Sequence, residues 1–322
     1  MHDVIANMVA PSDSRPGIWR GGILQIMVTR ACDMACHGCT QGSQFGGKPA
    51  VMTPDQFQTA IDSLEGYFGV IGVFGGNPCT SPYFDDYCRI LRGSVPYDQR
   101  GLWCNHPRGK GAVCRATFDP RHSNFNVHLS SDAYDEFARD WPESLPHLKG
   151  IAEDSIHGSP WVAMRDVVPD EDERWRLISQ CEINRYWSAL IGVVRGELRA
   201  FFCEVAYAQA ALHADNPDWA RTGKPMPDTG LPVTPGWWRK PMSEFAEQVN
   251  VHCHNCGVPL KRRGQLAVGG THEEVSETHL SIARPKVRDR PVRVVSIGGP
   301  IARQERPFVE YLPGTLPACR GQ

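Results

Sequence analysis

Three cysteines, Cys32, Cys36 and Cys39, stand at C-x3-C-x2-C spacing in the stretch Cys-Asp-Met-Ala-Cys-His-Gly-Cys. Thiolates separated by two or three residues can all reach one face of a metal cluster. Three sulfur ligands on a cubic 4Fe-4S cluster would leave its fourth iron open to another molecule. Zinc is the rival, but its structural sites want four ligands, usually drawn from C-x2-C pairs. A second set comprises Cys181, Cys203, Cys253 and Cys256, the last two at C-x2-C spacing. Those four could converge on one closed site, either zinc or iron-sulfur.

Both sets need a scaffold. The apolar run Ile23–Val28 predicts a strand at 22–29 leading straight into the first set. Thr53-Pro54-Asp55 predicts a capped helix start, with Phe57, Ile61, Leu64 and Phe68 at helical spacing. A second strand, 69–74, runs into Gly75-Gly76-Asn77-Pro78, and a helix is expected at 82–92. Further strands are expected at 101–104, 124–129 and 161–168, with helices at 131–140 and 170–180. This alternation of strand, loop and helix implies an α/β fold with a parallel sheet. Cys181 then precedes Ala189–Val194, a turn at Arg195-Gly196-Glu197, and Leu198–Phe202, which reads as a β-hairpin closed by Cys203. Helices at 204–213 and 241–250 flank a proline- and glycine-rich linker at 215–236 and lead to Cys253. The expected organisation is an arm at 1–20, an α/β unit at 21–180, a cysteine-bearing α+β unit at 181–260 and an extension at 261–322.

The stretch Thr29-Arg-Ala-Cys32-x3-Cys36-x2-Cys39, followed one strand later by Gly75-Gly76-Asn77-Pro78, resembles the radical S-adenosylmethionine superfamily. The resemblance implies a partial (β/α)6 TIM-like barrel with its active site at the C-terminal strand ends. It implies a 4Fe-4S cluster on Cys32, Cys36 and Cys39 whose free iron is chelated by S-adenosyl-L-methionine. In the family the "GGEP" backbone, here Gly75, Gly76, Asn77 and Pro78, receives the methionyl amino group. Two departures stand out. Many members carry an aromatic residue just before the third cysteine, where this chain has Gly38, so His37 becomes the candidate adenine contact. Asn77 replaces the usual glutamate, a neutral amide for a carboxylate. The second set, a cysteine on each side of a hairpin, a long gap and C-x2-C, resembles the Twitch module, a shortened relative of the SPASM domain. That resemblance implies a second, auxiliary 4Fe-4S cluster on Cys181, Cys203, Cys253 and Cys256. Together these imply a radical oxidoreductase: an electron from the first cluster cleaves S-adenosylmethionine, a 5'-deoxyadenosyl radical abstracts hydrogen, and the auxiliary cluster accepts an electron from the substrate.

Composition excludes several other classes. The chain has 322 residues and a formal net charge of -2, so nothing global points to nucleic acid. No apolar run approaches the roughly eighteen residues of a membrane helix. The residues Met1–Asn7 lack the pattern of a signal peptide. With that, the twelve cysteines read as metal ligands and reduced thiols, and the expected location is the cytoplasm. The expected partners are a small polar substrate (sugar-like, aminocyclitol or nucleotide) or a peptide, and an external one-electron donor of the flavodoxin or ferredoxin type. Candidates for the chemistry itself are loose. Asp166, Arg165 and His128 fall on expected strand ends and could supply a base. Cys104 and Cys114 flank a basic loop, Asn105–Arg115, and could return a hydrogen atom in a redox-neutral epimerase or isomerase. Trp161, Trp187, Trp237 and Trp238 could line a sugar or base site. A reading of another class is a zinc-stapled binding protein.

Overall fold

The computed structural model describes residues 22–45, 50–127, 130–149, 158–181, 189–219, 222–260, 273–284 and 292–297. The chain opens with β1 (Ile23–Thr29), buried on both faces. Helix α1 (Pro54–Asp62) starts at a reciprocal cap: Gln56 N donates to Thr53 Oγ1 at 3.2 Å, and Thr53 N donates to Gln56 Oε1 at 3.0 Å. The helix ends at Asp62, so Leu64 and Phe68 fall beyond it, and Phe68 is exposed. Then follow β2 (Val70–Gly75), α2 (Phe84–Ser94), β3 (Arg100–Cys104), α3 (Gly111–Thr117), β4 (Asn124–Asn126), α4 (Ser131–Asp140) and the two-residue β5 (Leu148–Lys149).

The segment expected as a strand at 161–168 is instead the short helix α5 (Met164–Val167). Among the described residues no strand pairs with it. Ser276 reaches it from far along the chain: Ser276 Oγ accepts from Ala163 N at 2.8 Å, and Ser276 N donates to Trp161 O at 3.0 Å. Helix α6 (Glu171–Ser179) follows, capped by Asp170, which accepts from the amides of Asp172 and Glu173. The hairpin is β6 (Ala189–Val194) and β7 (Glu197–Phe201), joined through Arg195 and Gly196. Both turn residues have positive φ, 51° and 83°, the backbone twist that a two-residue hairpin requires. Helix α7 (Glu204–His213), β8 (Leu231–Pro232), α8 (Ala246–His252), β9 (Glu273–Val275) and β10 (Val292–Val294) complete the described elements.

The main sheet has the order β5-β4-β3-β2-β1-β6-β7-β8. Strands β1 to β5 are parallel neighbours in sequence order, and β6 runs parallel to β1 on its other side. A (β/α)6 barrel would place the sixth strand beyond β5. Here the sixth parallel strand is the first strand of the hairpin, lying next to β1. The hairpin therefore extends the first sheet, and one apolar cluster runs from Ile23 through Trp103, Phe137 and Phe201 to Cys256 and Leu260. A small parallel pair, β9 with β10, stands apart from the main sheet.

Candidate metal centre

The first cysteine set leaves the C-terminal end of β1, and Gly75–Pro78 leaves the C-terminal end of β2 beside it. The two segments are bonded to each other. Gly76 N donates to Thr29 O at 2.9 Å, and Asn77 N donates to Ala31 O at 2.7 Å. A Cβ on Gly76 would meet Ala31 O, and would stand 2.7 Å from both Arg30 O and Cys32 Cβ. Glycine is thus required so that the cysteine-bearing backbone can come this close. Gly38 has φ 61°, with open space where a Cβ would be. Its left-handed backbone, rather than crowding, disfavours the aromatic residue of the family pattern.

Asp33, inside the first C-x3-C, ties three strand ends together. Its Oδ1 accepts from Asn77 Nδ2 at 3.3 Å and from Asn105 Nδ2 at 3.1 Å. Its Oδ2 accepts from Arg108 Nε at 2.7 Å and pairs with the Arg108 guanidinium. Burial would raise the Asp33 carboxyl, but the hydrogen bonds from Asn105, its own backbone, Arg108 and Asn77 outweigh it and hold it below the usual range. Asn77 is fully buried. Its Nδ2 also donates to His106 O at 3.0 Å, and its Oδ1 accepts from Cys79 N at 3.2 Å. Arg108, with φ 55°, is therefore committed to Asp33, and Lys110 pairs with Asp85 at 2.6 Å. The basic loop spends these two charges within the chain.

The thiols of the first set are half-buried residues with amide donors around them. Cys32 Sγ accepts from Met34 N at 3.4 Å. Burial pushes the Cys39 thiol up, while the backbone amides of Ser43 and Gln41 and the Ser43 hydroxyl draw it down. Such donors suit a sulfur that carries negative charge when it binds metal. Among the described residues, no group of three or more His, Cys, Asp or Glu side chains closes on a point as the ligands of a single metal ion would.

The second set is gathered more tightly. Cys181, Cys203, Cys253 and Cys256 all line one small pocket, whose other walls include Ile178, Phe202, His252 and Val258. Cys203 stands at the position just before α7, and the amides of Ala206 and Val205 draw its thiol down against a burial that pushes it up to about 12. Cys256 Sγ accepts from Val258 N at 3.4 Å. The nearby histidines are engaged elsewhere. His254 Nδ1 accepts from Arg174 Nε at 3.3 Å, and its ring stands edge-on to Trp175. His252 contacts Thr229 Oγ1 at 2.8 Å and Gln209 Oε1 at 3.2 Å.

The loop between Cys253 and Cys256 is held through Asn255 O, which accepts from Gln209 Nε2 at 3.0 Å and His279 Nε2 at 2.6 Å. Because His279 donates from Nε2, its neutral ring accepts at Nδ1, and His213 Nε2 donates there at 3.0 Å. Burial is the main cause that keeps both rings neutral, joined by His279 and His252 at His213, lowered to about 2, and by Arg165 at His279, lowered to about 4. The hydrogen bond to the Asn255 carbonyl and the charge of Asp166 act in the opposite direction on His279. Part of the C-terminal extension thus buttresses the second cysteine loop, a role its sequence did not reveal.

Other sequence candidates fall as follows. Asp166 lies on α5, not at a strand end, and its carboxylate accepts from Thr278 N at 2.8 Å and Thr278 Oγ1 at 3.1 Å. It is a clamp on the 276–278 segment. Cys104 and Cys114 are buried beneath the basic loop, in hydrogen-bonding contact with Cys79. Burial pushes both up, whereas their hydrogen bonds draw Cys79 down to about 6 despite its own burial. His37 is buried. Trp161, Trp237 and Trp238 are buried too, and Trp161 Nε1 donates to Cys39 O at 2.9 Å. His128 and Trp187 lie outside the described residues.

Glu204, next to Cys203, escaped the sequence reading. It is buried at the start of α7 beside Thr40 and Gln25, its Oε2 has no hydrogen-bond partner, and burial pushes its carboxyl up to about 7. Its charge also acts on Cys39, so it stands between the two cysteine sets. An acidic residue directly after a ligand-type cysteine was the one available hint.

No family model matches this chain, and no curated protein matches it. Among solved structures, the chain is similar to the crystal structure of BtrN in complex with AdoMet and 2-DOIA. The TM-score is 0.43 at 12% sequence identity, over 73% of this chain and 92% of that one. No helix among the described residues is long and apolar enough to cross a membrane.

Proposed function

We propose that the chain is a radical S-adenosylmethionine oxidoreductase with two iron-sulfur sites. The observation that carries this reading is the pairing of two motifs at adjacent strand ends: C-x3-C-x2-C after β1, hydrogen-bonded through Gly76 and Asn77 to Gly-Gly-Asn-Pro after β2. Cys32, Cys36 and Cys39 would hold the first 4Fe-4S cluster, and Gly75, Gly76, Asn77, Pro78 and His37 would receive S-adenosyl-L-methionine. When bound, the pair supplies a one-electron cleavage whose 5'-deoxyadenosyl radical takes hydrogen from an unactivated carbon. Gly76 admits the close backbone approach this site needs, and Asp33 fixes the loop against β2 and β3. Cys181, Cys203, Cys253 and Cys256 would hold a second cluster with no open iron, suited to electron transfer. Four thiols around one apolar pocket, with both neighbouring histidines committed elsewhere, support an all-cysteine site. A small polar or peptide substrate, a flavodoxin- or ferredoxin-type donor and a cytoplasmic location belong to the same proposal.

One observation favours a redox-neutral alternative: the Cys79 thiol is in hydrogen-bonding contact with both Cys104 and Cys114, close to Asn77 and His106. Product mass separates the two, because oxidation removes two hydrogens and isomerisation removes none. The first experiment is iron, sulfide and zinc content after anaerobic reconstitution, on wild type and on the Cys32/Cys36/Cys39 triple alanine variant. About eight irons falling to about four supports two cubane clusters. About four irons with one zinc leaves the second site as a structural staple, and zinc alone overturns the radical reading.

A further inference from the structure

Where β1 and β6 end side by side, a pocket of about 460 Å³ opens. Its walls include Val51, Val193 and Ala211, and its polar groups are Arg30, Arg195 and Asp215. Its position at the C-terminal ends of parallel strands is where α/β sheets place ligands, and its size suits a small molecule.

Arg30 distinguishes this pocket. The side chain is half-buried, its Nε is enclosed without a hydrogen-bond partner, and no carboxylate among the described residues pairs with it. Its neighbours do not compensate. Arg195 donates to Ala214 O and Met226 O and lies 3.7 Å from Asp215, whose side chain is 93% exposed. Asp215 is therefore spent on Arg195 and on water. An enclosed guanidinium N–H without an acceptor is costly, and the usual resolution is an anion. Arg108, by contrast, already has its carboxylate in Asp33.

We propose that this pocket binds the carboxylate or phosphate of a small molecule, with Arg30 as its charged anchor and the valine and alanine walls receiving an apolar portion. The guanidinium is planar and forked, matching both anions. The anion has two possible sources, the methionyl carboxylate of S-adenosylmethionine or an acidic group of the substrate. Arg30 is two residues before Cys32, so either would lie beside the first cysteine loop. The site goes beyond the radical reading and stands without it, because it rests on an unpaired charge and not on a cluster.

The test uses the full chain after anaerobic reconstitution, as wild type, Arg30→Met and Arg30→Lys. Thermal unfolding is followed in chloride and in inorganic phosphate at equal ionic strength, and S-adenosylmethionine affinity is measured by equilibrium dialysis. In chloride, Arg30→Met should melt higher than wild type, because the unpaired charge is gone, and Arg30→Lys should not. If the anion belongs to the substrate, phosphate raises the wild-type midpoint by about 2 °C or more, Arg30→Met loses that rise, and S-adenosylmethionine affinity is unchanged. If it is the methionyl carboxylate, Arg30→Met weakens S-adenosylmethionine binding tenfold or more and phosphate competes with it. The proposal is overturned if phosphate stabilises neither protein and both bind S-adenosylmethionine equally, or if Arg30→Met melts lower than wild type in chloride. A preparation that holds no iron sinks the radical reading yet still reports on Arg30 through the chloride and phosphate arms.

Discussion

Asn77 Nδ2 donates to Asp33 Oδ1 across 3.3 Å, joining the end of β2 to the interior of the first cysteine motif. This contact accounts for the amide that stands where the family pattern has a glutamate. An acid at position 77 would face the Asp33 carboxylate, whereas the amide gives it a donor. The same amide also reaches His106 O, so it holds the loop after β3 as well.

Asn77→Asp should therefore destabilise the protein by about 1–3 kcal/mol, through a lost donor and a like-charge contact. Asp33→Asn should cost a similar amount by releasing Arg108. The double variant, with the pair exchanged, should recover part of the loss, giving a coupling energy well away from zero. Urea unfolding of the four proteins measures it, and strict additivity would mean that the contact carries no energy.

Gly76→Ala should separate the two motifs without touching a thiol. The new methyl group meets Ala31 O, Arg30 O and Cys32 Cβ, all backbone or near-backbone atoms that cannot step aside. Overpacking of this kind costs about 1–3 kcal/mol. Iron analysis should show the first site depleted and the second retained. Equal loss from both sites would contradict this separation.

Gln209→Leu should act on the second site alone. It removes a donor to Asn255 O and the acceptor of His252, loosening the loop that carries Cys253 and Cys256. Metal should be lost there, with the first site intact. His254→Ala should keep full metal content, since that ring is turned to Arg174 and Trp175. A metal loss in His254→Ala equal to that of Cys253→Ala would make His254 a ligand after all.

The His213–His279 pair predicts a loss of stability in acid. Both folded values, about 2 and about 4, lie below the unfolded value near 6.5. As pH falls, the unfolded chain takes up these protons first, so stability is full above about pH 6.5 and declines below it. Each ring contributes a slope of up to about 1.4 kcal/mol per pH unit, and the contribution of His279 ends near pH 4. His279→Gln preserves a donor toward Asn255 O and an acceptor for His213. It should flatten the slope between about pH 6.5 and pH 4.5 in unfolding curves, and an unchanged slope would place the protons elsewhere.

Much of the fold was legible because its signals are local. Thr53, Pro54 and Asp55 mark the start of α1 within three residues, and Arg195-Gly196 marks the hairpin turn. Helix α3 was missed because the glycines and proline before it read as loop. The 161–168 run was taken for a strand because a short apolar run carries no decisive period. What decides its shape is Ser276 and Thr278, more than a hundred residues away in sequence. The cysteines could be named from spacing alone. Asp33 could not, because its partners Asn77, Asn105 and Arg108 are 44, 72 and 75 residues distant. Glu204 and Arg30 were invisible for a related reason: what marks them is the absence of a partner, and sequence does not display absences.

The position of β6 beside β1 bears on how this chain survives in a crowded solution. On that side of β1, Leu24, Gln25 and Ile26 pair with a hairpin whose own flanks are Cys181 and Cys203. If those cysteines hold the proposed metal, then failing to capture it would let the hairpin drift away and leave β1 as an apolar edge strand, the kind of template that recruits other chains into aggregates. Loading the second site would then act as a solubility safeguard for the first, and poor iron supply would appear as inclusion bodies before it appeared as lost turnover.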